Sequence, residues 1–152
     1  VHAAAQRRGT TPSRRLLLVV DDVTDAALLG EALRDRGNNF DLHRISDGDQ
    51  VFRYLRDGTA PTPDLLVVDL HVPLIDIRSL LELVRKDLDL RWVPIVLLTA
   101  HRSGVDLPGS GEPRVTHFAK PVDYESFLKL AQHAEDLVRG ASGGAGEAGP
   151  DV

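Results

Sequence analysis

The sequence contains no cysteine and no methionine, and only one tryptophan, among its 152 residues. Without cysteine there is no disulfide, no thiol nucleophile and no thiolate zinc site. Long apolar runs are also missing. The longest early run, Leu16 to Val20, is too short for a signal-peptide core or a bilayer span, so no membrane partner and a cytoplasmic location are expected. Positive charge is not in excess: the net charge is −5, which argues against nucleic acid as a partner. Four arginines (Arg7, Arg8, Arg14, Arg15) precede the first apolar run, as a solvated arm or as a short acid-binding one. Arginine outnumbers lysine and position 1 is Val; a GC-rich bacterial gene starting on a valine codon explains both, and a trimmed start also explains the missing Met. What remains is ordinary for one soluble globular domain: 42% hydrophobic and 27% charged residues.

The chain is organised around Leu65-Leu66-Val67-Val68-Asp69. An unbroken, β-branched-rich run after Pro61-Thr62-Pro63 reads as a strand buried on both faces, and a carboxylate closes it. Alone, Asp69 reads equally well as a cap. Leu16 to Val20 is a second such strand and ends in Asp21-Asp22, with Thr24 or Asp25 as the cap of the helix that follows. Gly37 ends that helix as a C′ glycine. Phe40 to Ile45 alternates like a half-covered strand, and Val51, Tyr54 and Leu55 mark a helix stopping at Asp57-Gly58. A third helix is expected from about Asp76 to Asp87, and Trp92 is expected to shield the start of the strand Pro94 to Leu98, which Thr99-Ala100 closes. Val115 to Phe118 is the fifth strand, closed by Ala119-Lys120-Pro121. Phe127, Leu130, Ala131, Ala134, Leu137 and Val138 give the inner face of a last helix, which Gly140 ends.

Strands alternating with helices imply right-handed crossovers and a parallel sheet covered on both faces. The expected fold class is α/β, flavodoxin-like and doubly wound, (βα)5, with strand order 2-1-3-4-5. Residues 1–13 read as a disordered basic arm, 14–139 as the folded domain and 140–152 as a Gly-rich flexible tail. In this order the strand ends bring Asp21, Asp22, Asp69, Thr99 and Lys120 to one crevice. Carboxylates gathered that closely repel one another, and a hard divalent cation such as Mg²⁺ is the natural compensation. Asp69 can then attack phosphorus, with Lys120 and Thr99 stabilising the transferring group.

These motifs, Val19-Val20-Asp21-Asp22, Val68-Asp69-Leu70 with Pro73 and Asp76, Leu98-Thr99-Ala100 and Lys120-Pro121, resemble those of response-regulator receiver domains of two-component signalling. The likeness runs from about Arg15 to Arg139. It implies Asp69 as phosphoacceptor, Asp22 as a direct metal ligand, Asp21 as a ligand through water and the backbone carbonyl of His71 as a further ligand. It makes Thr99 the switch hydroxyl, Lys120 the phosphate-binding lysine and the Lys120–Pro121 bond cis. Ser46-Asp47-Gly48, Tyr54-Leu55 and Lys120-Pro121-Val122-Asp123 resemble stand-alone regulators paired with bacteriophytochrome kinases. The implied partners are a sensor histidine kinase or a phosphotransfer protein, with a homodimer as a further form. Many receivers pair through the fourth helix, fifth strand and fifth helix.

Three departures stand out. The segment His101 to Pro113 holds two prolines and three glycines. At about 3 kcal/mol per interior Pro and about 1 kcal/mol per Gly, the family's fourth helix should be degenerate or replaced by a loop. His117 occupies the aromatic switch position, either as a titrating switch or as a surface histidine. Ile77 stands where the family has glycine, which lengthens the third helix or stiffens the loop before it. His71 and His101 flank the acceptor by resemblance, where they either tune the acyl-phosphate lifetime or simply face solvent. The competing readings are a non-phosphorylated pseudo-receiver acting as an interaction module, and an aspartyl-phosphate phosphatase. The latter needs an Asp where this chain has His71. Under the first reading the chain is no enzyme beyond self-phosphorylation and autodephosphorylation.

Overall fold

A computed structural model describes residues 14–57, 61–100 and 108–144. Its five strands are β1 (Arg14–Val19), β2 (Phe40–Ile45), β3 (Leu65–Asp69), β4 (Ile95–Thr99) and β5 (Val115–Ala119). Among the described residues there are four helices: α1 (Val23–Asp35), α2 (Gly48–Asp57), α3 (Ile77–Lys86) and α4 (Tyr124–Gly144). All strand pairs are parallel, in the order β2-β1-β3-β4-β5, as expected. The register aligns Val19 with Val68 and Thr99 with Ala119, so the carboxyl ends of β1, β3, β4 and β5 come level at one edge.

Strand residues alternate between two cores. Leu16, Leu18, Val67, Val96 and Leu98 face α1 and α4, whose Leu29, Leu33, Phe127, Leu130 and Ala134 cover them. Leu17, Val19, Leu66, Val68 and Leu97 face α2 and α3, which bring Val51, Leu55, Leu80 and Val84. Each fully buried leucine or valine stabilises the fold by about 1.5–3 kcal/mol relative to exposure. That is why β3 and β4 carry no polar residue before their last position. Gly37, at φ +80°, ends α1 as expected, with Gly37 N–H donating to Arg34 O and Asn38 N–H to Leu33 O.

Several expectations are corrected. The cap of α1 is Asp22, not Thr24 or Asp25: Asp22 Oδ1 accepts from Thr24 N at 2.8 Å, because Val23 is already helical. The last helix does not stop at Gly140. That glycine avoids the left-handed conformation that would end a helix, and α4 runs on to Gly144; one helical glycine costs only about 1 kcal/mol. No cis peptide occurs among the described residues, so Lys120–Pro121 is trans, the isomer favoured by about 0.5–1 kcal/mol. Trp92 is 56% exposed and shields little, since the neighbouring Val93 takes the buried place at the start of β4. The arm 1–13 and residues 145–152 lie outside the described residues.

The connection between β4 and β5 agrees with the expected loss of a helix as far as it is described. Residues 108–114 form successive turns, with Gly109 at φ +79° and Gly111 at φ +88°, conformations that strain any side-chain-bearing residue. Residues 101–107, including His101, lie outside the described residues. Ile77 opens α3 directly behind its cap, Asp76, whose carboxylate accepts from Ser79 N and Ser79 Oγ. No described helix is long and apolar enough to cross a membrane.

Candidate functional site

Asp69 ends β3 with its side chain 1% exposed. Its Oδ1 accepts from His71 N at 2.9 Å, in the turn that leaves the strand. Its Oδ2 is buried and takes no well-directed hydrogen bond. The compensation is a charge: Lys120 Nζ lies 2.7 Å from Oδ2. Lys120 follows β5, and its N–H donates to Thr99 O at 2.8 Å, which ties the ends of β4 and β5 together. Thr99 itself is 4% exposed. The register thus assembles Asp69, Thr99 and Lys120 at adjacent strand ends, as the sequence suggested.

Asp21 and Asp22 leave β1 beside this group, both exposed. Asp25, in the first turn of α1, completes the cluster. Its Oδ2 lies 3.8 Å from Lys120 Nζ, and its side chain is 22% exposed. Burial first, then the charge of Asp22, pushes the Asp25 carboxyl above its ordinary range, with Lys120 opposing. The Lys120 ammonium is held above the usual lysine range, first by its short contact with Asp69 and further by the charges of Asp69 and Asp25, against burial. Asp25 was read only as a cap in the sequence. The signal that could have found it is spacing: three residues beyond Asp22, it returns to the same side of the helix start.

The donor set suits a hard cation. It offers carboxylates only, and the buried Asp69 Oδ2 has the Lys120 ammonium beside it but no well-directed hydrogen bond. Among the described residues, however, no three Asp, Glu or His side chains stand close enough together to hold an ion. One reason is visible: Asp22 Oδ1 is engaged as the cap of α1. His71 enters through its N–H and through its ring, whose Nδ1 is 3.6 Å from Asp69 Oδ1 while the side chain is 62% exposed. His117 lies two residues before the end of β5, away from Asp69. Its Nε2 donates to Pro108 O at 2.7 Å, which places the proton on that nitrogen because a carbonyl only accepts.

No family model matches this sequence. Response regulator Rcp1 of Synechocystis sp. is 28% identical over 133 residues, spanning 84% of this chain and 90% of Rcp1. Among solved structures, the bacteriophytochrome response regulator RtBRR shares 29% identity at a TM-score of 0.64, covering 82% of this chain and 78% of that one. The Mn(2+)-bound form of Rcp1 shares 26% identity at a TM-score of 0.67, covering 81% and 92%. The phosphorylated cyanobacterial phytochrome response regulator RcpA, 24% identical, has the same fold at a TM-score of 0.69, covering 84% and 94%.

Proposed function

We propose that this chain, similar to response regulators in sequence and to their receiver domains in fold, accepts a phosphoryl group on Asp69 from the phosphohistidine of a sensor histidine kinase. The observation that carries this reading is a buried carboxylate at a strand end with a lysine ammonium 2.7 Å from one oxygen. An Asp69 oxygen attacks phosphorus, the P–N bond of the donor breaks, and the departing imidazole keeps the electron pair and takes a proton. Lys120 pairs with an oxygen of the new acyl phosphate, and the Thr99 hydroxyl donates to another. The His71 N–H, already donating to Oδ1, holds the carboxylate in line. Hydrolysis returns the aspartate when water attacks phosphorus and the P–O bond to Asp69 breaks.

A divalent cation such as Mg²⁺, held by Asp21, Asp22, Asp69 and the carbonyl of His71, would supply the remaining charge neutralisation. That the similar Rcp1 has a Mn(2+)-bound form supports it. Likeness to phytochrome response regulators supports a bacteriophytochrome as the kinase, with a phosphotransfer protein as the other donor or acceptor class. Output runs through protein contact. Thr99 transmits the change, and His117, holding the 108–114 turns through Pro108, is the aromatic-position switch. His71 and His101 set the acyl-phosphate lifetime. Beyond taking up and losing its own phosphoryl group, the chain turns over no substrate.

Intact mass after incubation with Mg²⁺ and a small phosphodonor tests the reading. A gain of one phosphoryl group, absent in Asp69→Asn and without Mg²⁺, is expected. A folded protein that gains none would leave the interaction module as the reading.

A further inference from the structure

The large exposed apolar side chains gather at two ends of the sheet. Val23, Leu74 and Val122 follow β1, β3 and β5 and ring the Asp69 end, where a phosphodonor approaches. Leu88 and Trp92, 73% and 56% exposed, stand at the opposite end, in the connection from α3 to β4. Phosphoryl transfer gives them no role. Next to Trp92 lies a cleft of about 410 Å³, floored by Leu81, Val84, Val93, Ile95 and Val115.

The charges of this edge are ordered. Arg91 and Arg114 place their guanidiniums 5.2 and 5.3 Å from the centre of the Trp92 ring, and neither makes an ion pair among the described residues. Arg85, also at the cleft, is paired with Glu112 at 3.3 Å. Leu88 is flanked by Asp87 and Asp89, and Asp87 Oδ1 accepts from the N–H groups of Asp89 and Leu90, which fixes the turn carrying Leu88. Acids therefore surround the exposed leucine, and arginines surround the exposed tryptophan. With two charges of each sign, Asp87 and Asp89 against Arg91 and Arg114, the edge is neutral in a chain of net charge −5.

A neutral patch with a protruding apolar residue, an apolar cleft and separated charges complements itself under a two-fold rotation. We propose that a second copy of this chain occupies the cleft. Leu88 of each copy enters the Trp92 cleft of the other, and Asp89 of each meets Arg91 and Arg114 of the other. Planar guanidiniums suit carboxylates, and Trp and Arg are the residue types that anchor interfaces. The surface lies at the amino-terminal ends of β4 and β5, away from Asp69, so it is independent of the phosphoacceptor reading.

Sedimentation velocity of the full chain across the micromolar range tests this, together with the emission of Trp92, the only tryptophan. A species of twice 16.6 kDa is expected, with emission moving to shorter wavelength as it forms. Leu88→Asp should raise the dissociation constant about tenfold or more. Because Leu88 is exposed, circular dichroism should be unchanged in that variant. Asp89→Arg and the double variant Arg91→Asp/Arg114→Asp should each be monomeric alone and pair when mixed. A wild-type chain that stays monomeric throughout overturns the proposal, as does a dimer indifferent to both Leu88→Asp and the charge reversals.

Discussion

Lys120 lies between two carboxylates unequally, 2.7 Å from Asp69 and 3.8 Å from Asp25. Asp69 is buried and Asp25 partly so, and among the described lysines and arginines only Lys120 pairs with either. Lys120→Met should therefore destabilise the protein by about 1–3 kcal/mol at pH 7, less than for a fully buried pair because Lys120 is 32% exposed. Adding Asp69→Asn should recover most of the loss. Urea titration of the single and double variants checks this; equal midpoints for wild type and Lys120→Met would contradict it.

Asp25 should behave oppositely. Its folded carboxyl holds a proton more tightly than the ordinary value of 3.8 allows, through burial first and then the Asp22 charge. The ionised form thus costs stability at neutral pH, and the cost vanishes as pH falls through the raised value. Asp25→Asn should raise stability by about 0.5 kcal/mol at pH 7 and not at pH 3. A lowered denaturation midpoint at pH 7 would show that its hold on Lys120 outweighs the repulsion.

His133 supplies a second pH dependence, of opposite sign and nearer neutrality. Its Nε2 is 3.0 Å from Thr116 Oγ1, its ring lies against Phe118, and burial holds the imidazole below its ordinary 6.5. The unfolded chain takes up the proton first. The stability it contributes is full above pH 6.5 and is lost as pH falls from there through the folded value. Melting temperatures should drop between pH 7.5 and pH 5.5 in the wild type and drop less in His133→Gln. Parallel pH profiles would count against this assignment.

Gly48 carries a steric prediction. A Cβ there would stand 2.0 Å from Leu74 O and 2.6 Å from Ile75 Cα, so the start of α2 rests directly on the loop after β3. Gly48 N–H donates to Pro73 O at 2.9 Å, and Leu74 takes φ +63° at the same place. Gly48→Ala should cost about 2–3 kcal/mol and displace that loop. Thermal unfolding reads the first effect, and the amide chemical shifts of His71 and Leu74 read the second.

What could be read from the residues alone follows from how local each signal is. Apolar runs and helical stripes placed the strands and the first three helices to within about two residues, because burial leaves few other patterns, whereas the end of α4 was placed five residues early on a helical glycine. Proline and glycine content anticipated the turns of residues 108–114 before β5. Strand-end positions for Asp69, Thr99 and Lys120 followed from the order of the strands. Asp25 escaped because its role comes from the pitch of α1 and not from a strand end. Asp22 was legible by motif as a candidate ligand, and its capping of α1 through Oδ1 depends on a single backbone N–H that the motif does not show. The Trp92 and Leu88 edge escaped because exposure is a tertiary property: a lone Leu or Trp among charged residues reads equally well as a core anchor.

The covering of one sheet face by α1 and α4 has a consequence for how the chain is made. α1 is among the first elements synthesised and α4 is the last described, yet they share one core with Leu16, Leu18 and Val67. While the chain is still emerging, that face has half its cover, and the central strand β3 is wet along one side. A message cut before Phe127 would yield a sticky fragment and not a closed domain. Translation must pass α4 before this domain can close, and its expression in truncated libraries should fall abruptly at that helix.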